Sequence, residues 1–251
     1  MRRHAGRGRL LAVVLLLILV GLWELLPAIG LADPFFTSSP SRIIAAARWL
    51  FAHGFWKDIT VSLVEYGWGM LWAIIIGVVL GWGLGWYGMV AGLVEPYITV
   101  LNAAPRVALL PLLILWLGIG IESKIAAVFL GAFFPIVFTV MKGVRTVDGS
   151  LIQLARSFGA RDLRIFTTLA IPSTVPFIVA GLQIAVGRGL VGVVIGELLA
   201  AQAGVGHMIA LAASSFQTDR VFVGLLLLTV FGYLVTEVIK IIERRLENWR
   251  A

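Results

Sequence analysis

The chain has no cysteine, only three histidines and few charges: Asp, Glu, Lys and Arg make up 13% of its 251 residues. An ordinary globular protein carries about twice that share, so this composition cannot cover a soluble surface. The missing cysteines exclude disulfides, thiolate metal sites and thiol nucleophiles. His4, His53 and His207 stand apart from one another, which argues against a metal centre or an intramembrane metalloprotease. No Gly-x-x-x-x-Gly-Lys-Ser/Thr run occurs to cradle a nucleotide phosphate, and neither Gly-x-Ser-x-Gly nor His-Glu-x-x-His is present. No catalytic residue and no cofactor or metal site are expected in this chain. Gly83-Leu84-Gly85-Trp86-Tyr87-Gly88 fits Gly-x-Gly-x-x-Gly, but it closes an apolar run with no strand before it.

What the chain does have is apolar length, with 60% hydrophobic residues and a mean hydropathy of +1.01. A hydrocarbon core about 30 Å thick needs roughly 20 apolar residues in a helix. Six runs qualify, at about 9–29, 61–87, 91–117, 125–142, 175–199 and 221–242. They are continuous and do not alternate with period two, so they predict helices and not barrel strands. The expected fold is an all-α membrane protein with six transmembrane helices in a single transmembrane domain, 1–251.

Lys and Arg between the runs set the orientation. With the N-terminus inside, thirteen of them, from Arg2 to Arg250, fall on the cytoplasmic side and five on the other; Arg106 and Arg188 lie within runs. Both termini are therefore predicted to be cytoplasmic. The first run, behind Arg2 and Arg3, exceeds a signal-peptide core and precedes five more, so it reads as an uncleaved anchor. The net charge of +7 suits cytoplasmic loops against anionic lipid, and no soluble basic domain exists to bind nucleic acid.

Two connections exceed simple turns. On the outside, Ser39 can cap a helix that starts at Pro40, with Ile43, Ile44, Ala47, Leu50 and Phe51 on one face. It reads as a helix on the membrane surface or as a packed connector. The other connection spans 142–172. There Asp148-Gly149 makes a turn, and Ser150 to Gln153 fits a capping box that opens a helix running through Phe158. Gly159 suits a left-handed stop. A second helix begins near Ala160, with Leu163, Phe166, Thr167 and Ala170 on one face, and Pro172 ends it. By itself this cytoplasmic helix, glycine corner and helix either packs on its own bundle or offers apolar residues to a partner.

The run Gln153-Leu154-Ala155-Arg156-Ser157-Phe158-Gly159, followed after nine residues by Leu169-Ala170-Ile171-Pro172, resembles the "EAA" signature of ABC importer permeases. That pattern is Glu-Ala-Ala, three residues, Gly, nine residues, an aliphatic, one residue and Leu-Pro. Gln153 and Leu154 replace its Glu and first Ala, while the Gly-to-Pro spacing matches. The resemblance extends to Pro105–Pro111 with Trp116–Gly120, to Gly131–Pro135 and to Thr218–Phe222, and so covers about 57–246. Together these are similar to the nitrate, sulfonate and taurine branch of type I ABC permeases of the bacterial inner membrane. The resemblance implies a homodimeric pore, two cytoplasmic ATPase subunits that use ATP and Mg, and an external substrate-binding protein. It makes 142–172 the coupling segment. Ala155 and Gly159 would allow close approach, Leu154 and Phe158 would supply apolar contact and Arg156 a polar rim, with Gln153, Ala160 and Pro172 in the same coupling set.

Arg106, Arg188 and Glu197 are charged residues inside apolar runs, where such groups normally face a partner or a watery path. Either an arginine lines the pathway and attracts an anion, or the three belong to a structural network between helices. Arg188 and Glu197 are nine residues apart, on opposite faces of one helix, and cannot pair directly. The competing function, a self-sufficient secondary transporter or channel, calls for mid-membrane carboxylates or an inverted repeat. No acidic pair is visible, since Glu24, Glu65, Glu95 and Glu237 fall near run ends. Gly77, Gly81 and Gly85, like Gly192 and Gly196, recur every four residues and predict close helix packing. The glycine-interrupted stretch from Gly204 to Arg220 reads as a short re-entrant helix or a passive loop.

Overall fold

The computed structural model describes residues 2–247, and the regular structure in them is helical. In chain order the elements are α1 (Arg2–Ala28), α2 (Pro34–Thr37), α3 (Pro40–Ala52), α4 (Trp56–Trp86), α5 (Gly88–Ala103), α6 (Arg106–Leu117), α7 (Ile121–Arg145), α8 (Gly149–Ser157), α9 (Asp162–Ile165), α10 (Ile171–Ala200), α11 (Val205–Ser214) and α12 (Thr218–Glu247). A π-helical turn, Phe166–Ala170, joins α9 to α10. Arg250, one of the charges used for orientation, lies outside the described residues.

Five helical stretches are long and apolar enough to cross a membrane: those within α1, α4, α7 and α12, and the continuous run from α9 through α10. The predicted third span is not one helix, because α5 and α6 meet at 95°. Pro105 explains the break. It has no amide to continue a helix and it pushes Ala104 into extended backbone (φ −61°, ψ 138°).

Glycine decides how the core packs, and α7 is its centre. Along α4, Gly77, Gly81 and Gly85 face Ile136, Val140 and Val144 of α7, the partners advancing in step, so the two helices run parallel. A Cβ on Gly81 would lie 2.7 Å from that of Val140. On the other side α10 runs antiparallel. Its Gly192 and Gly196 face Ala127 and Lys124, while Gly131 and Gly143 of α7 receive the Arg188 backbone and the Phe177 ring. The four-residue glycine spacing is thus close packing, including Gly85 of the Gly-x-Gly-x-x-Gly look-alike. It lets Ala73, Val128, Ala132, Ile136, Val140 and Ala185 pack with essentially no exposed surface.

The α3 segment is a packed connector. Ile43 and Leu50 are buried against Val205, Ile209 and Val223 of α11 and α12, whereas Ile44 points away. Ser39 occupies the N-cap position but its hydroxyl makes no capping bond. The Glu24 carboxylate of α1 serves instead, accepting from the Ser41 amide at 2.9 Å and the Ser41 hydroxyl at 2.6 Å. The Thr218–Phe222 motif clasps the same region: Thr218 Oγ1 donates to the Phe35 carbonyl (2.5 Å), Asp219 pairs with Arg42 (3.2 Å), and Arg220 lies 4.0 Å from the Trp49 ring. The Gly204–Arg220 stretch holds a true helix, α11, with Val205, Met208, Ile209 and Ala212 buried.

The predicted helix stop at Pro172 is absent. The chain passes through the π turn straight into α10, and Pro172 becomes its second residue, where a missing amide is tolerated. The wide turn, in which the Ile171 amide reaches back to the Phe166 carbonyl, inserts one residue and rotates the helix beyond it. The predicted apolar face changes accordingly. Ile165 and Ala170 are buried and Phe166 rests 5.2 Å from the Trp86 ring, while Leu163 and Thr167 are exposed.

Candidate functional site

The α8–α9 hairpin is built by its two ends. Asp148, not Ser150, caps α8: its carboxylate accepts from the Ser150 amide at 2.8 Å, and the cap lies two residues before the expected one. A short charged acceptor at the positive end of a helix wins over a hydroxyl further in. The same backbone bond holds the Asp148 carboxyl below the usual aspartate range. Gln153 is exposed, and its carbonyl accepts from Ser157 Oγ at 3.2 Å. At the other end Gly159 takes φ +77°. The Gly159 amide bonds the Arg156 carbonyl (2.9 Å) and the Ala160 amide bonds that of Ala155 (3.0 Å). The second of these bonds spans the left-handed residue and depends on it.

The α8 arm does not fold onto the bundle, since it has no buried residue, whereas α9 is anchored by the buried Ile165. Phe158 is 84% exposed and Leu163 74%, and Leu151 and Leu154 are exposed as well. Ala155 and Ala160 are half-buried, and nothing lies within 4 Å of where a Gly159 Cβ would be. Arg156 reaches across the corner to Asp162 at 3.0 Å. Pro172 is not part of the hairpin; it belongs to the base of α10.

Arg106 and Arg188 meet at one cavity of about 360 Å³, between the α5–α6 break and the middle of α10. Leu110, Ala127, Gly131 and Ile195 form much of its otherwise apolar wall. Arg106 is held by its own helix break: Nη2 donates to the Asn102 carbonyl (3.2 Å) and to Asn102 Oδ1, and the guanidinium lies 5.3 Å from the Phe134 ring. Its Nε is buried without a hydrogen-bond partner among the described residues. No described carboxylate forms an ion pair with either arginine. Two cationic groups on a mostly apolar wall can attract an anion that sheds part of its water.

Over residues 73–248 the sequence matches the family described as binding-protein-dependent transport system inner membrane component. The chain belongs to this family of ABC permeases. It is 28% identical over 253 residues to the putative aliphatic sulfonates transport permease protein SsuC of Bacillus subtilis (strain 168), covering 99% of this chain and 92% of that one. It is 29% identical over 247 residues to the taurine transport system permease protein TauC of Escherichia coli (strain K12), covering 96% and 90%. An inward-facing structure of the MetNI methionine ABC transporter shares the fold, with a TM-score of 0.63 at 21% identity over 79% of this chain and 96% of that one. The permease is a multi-pass protein of the bacterial inner membrane, not itself an enzyme.

Glu197 lies elsewhere than the two arginines of this permease, near the end of α10. Ser62 Oγ donates to Glu197 Oε1 at 2.5 Å, and the Gly206 amide donates to Oε2 at 2.6 Å. Beside it sit Glu65 of α4 and Lys124 of α7, and all three residues are at most 3% exposed. An acidic pair is therefore present, contrary to the expectation from span ends. Asp58, Ser62 and Glu65 repeat at i, i+4 and i+7 on one face of α4, which is the sequence signal that would have revealed it. Among the described residues, no three His, Asp or Glu converge as metal ligands.

Proposed function

We propose that this permease is the membrane subunit of an ATP-driven importer for a small anion such as a sulfonate, taurine or nitrate. In this reading the pore is a homodimer with both termini cytoplasmic, and each copy has six spans when the bent α5–α6 pair counts as one. The family-like core is 57–246. Residues 142–172 form the coupling segment, which docks on one of two cytoplasmic ATPase subunits that bind ATP and Mg. An external binding protein delivers the solute, and Arg106 and Arg188 draw it in. The observation that carries the reading is the hairpin: a capped, sharply cornered element that leaves Leu154, Phe158 and Leu163 bare at a helix bundle's edge. A clustered apolar face of this kind is the mark of a surface that another protein covers. The sulfonate and taurine relatives support an anionic solute, as does the pair of arginines on one cavity.

Affinity purification from the native membrane tests this directly. Co-purification of an ATPase carrying a phosphate-binding glycine loop, lost on Phe158→Asp, is the expected result. Solute uptake by the permease reconstituted alone would instead establish a self-sufficient transporter.

A further inference from the structure

The polar cluster around Glu197 is spent on two loops. On one side three successive amides that enter α11 are bound by side chains: Gly204 by Asp58 Oδ1 (2.9 Å), Val205 by Ser62 Oγ (2.8 Å) and Gly206 by Glu197 Oε2 (2.6 Å). On the other side the Lys124 ammonium donates to the carbonyls of Ile119, Gly120 and Ala200. Lys124 therefore ties the α6–α7 loop to the last residue of α10, and the two carboxylates and Ser62 tie the start of α11 to α4 and α10. These loops close the end of the bundle opposite the coupling hairpin.

One atom of the cluster does not fit. Glu65 Oε2 is buried, has no hydrogen-bond partner among the described residues, and belongs to a carboxylate that lies beside that of Glu197. An unsatisfied buried oxygen costs free energy that water would restore. A cavity of about 400 Å³, lined by Val61, Ile119, Gly120, Ala201 and Ala203 as well as Glu65 and Lys124, lies against it. The closed arrangement is thus held by seven donated hydrogen bonds and opposed by one stranded oxygen, on a Glu65 carboxyl whose contact is with the Glu197 carboxyl.

We propose that Asp58, Ser62, Glu197 and Lys124 form a latch that locks the α6–α7 and α10–α11 loops over the outer end of each permease copy, with Glu65 as its release element. Opening the latch admits the arriving solute. This rests on the importer reading for the direction of opening, but the latch itself acts within one chain.

The absence of cysteine makes the test clean. Val205→Cys places a buried thiol under the latch and Ile136→Cys a thiol in the bundle core. Labelling by a membrane-impermeant maleimide is followed in membranes holding the permease. Glu197→Gln can accept only one of the two bonds its carboxylate accepts, and Ser62→Ala strands the Val205 amide. Each should raise Val205→Cys labelling roughly tenfold or more, while Ser62→Thr restores the closed rate. Glu65→Met should lower labelling below the parent rate, an effect in the opposite direction. Unchanged labelling in both loosening variants would overturn the latch. So would a parallel rise at Ile136→Cys, which would mean general support of the fold, or a Glu65→Met variant that labels faster. Failure of ATPase co-purification would overturn the importer reading and leave these labelling results standing.

Discussion

Replacing Gly159 by valine tests the proposed coupling role of the hairpin separately from the stability of the bundle. The glycine sits at φ +77°, where an L-residue clashes with its own backbone at a cost of about 1–2 kcal/mol. That lowers the population of the observed corner about 5- to 30-fold. Because no atom lies within 4 Å of the site a Cβ would take, the substitution adds no clash with the core. Membrane insertion and the melting temperature in detergent should stay within a few degrees of the parent, while ATPase recruitment and solute uptake by the assembled importer fall by about the same 5- to 30-fold. Asn tolerates the left-handed conformation, so Gly159→Asn should keep most activity and Gly159→Ala should fall between. Normal uptake and normal ATPase recruitment in Gly159→Val would refute the coupling assignment. An asparagine variant as defective as the valine variant would show that the corner's geometry is not what matters.

In Gly81→Leu the new side chain would meet Val140 and the Val137 carbonyl, 3.0 Å from the Cβ position, so the α4–α7 contact must open. A loss of about 1–3 kcal/mol is expected, read as a lower melting temperature with the hairpin unaffected. Arg106→Ala and Arg188→Ala should each weaken the apparent affinity for an anionic solute in uptake assays, with lysine at either position less harmful; unchanged affinity in both alanine variants would remove the anion-steering role. For Asp148 the folded-state pKa is lowered, so the cap is fully present above the unfolded aspartate range and is lost as pH falls through the folded value. Amide exchange in α8 should therefore quicken selectively below about pH 4, and Asp148→Asn, which keeps an acceptor, should flatten that dependence.

Much of the architecture was legible in the residues because bilayer length and glycine spacing are strong local signals. Gly77, Gly81 and Gly85 announced a closely packed face on α4, and Gly159 announced the corner. The features that escaped depended on partners distant in sequence or on competition between neighbours. Asp148, two residues upstream, took the capping role expected of Ser150. Glu24, on another helix, took over the cap expected from Ser39. A π turn carried the chain through Pro172, which local propensity reads as an end. Pro105 broke a run whose hydropathy is continuous, since hydropathy does not register a missing amide. The Glu65, Lys124 and Glu197 cluster was hidden because its members lie on three helices, and only the Asp58, Ser62, Glu65 repeat hinted at it. Arg106 and Arg188 were flagged as costly to bury, but only the bend between α5 and α6 shows that they share a wall.

The covalent path from α7 to α10 runs through the hairpin, and those same two helices are zipped by Gly131, Gly143, Gly192 and Gly196. In the proposed coupling, a tug on the hairpin would act on both helices at once, and their close packing favours swinging them, with α4 riding on α7, as one stiff plank. Compliance is left to the margins, at the Pro105 bend and the Gly204 turn. Motion started at one face of the membrane would therefore arrive at the other nearly undiminished.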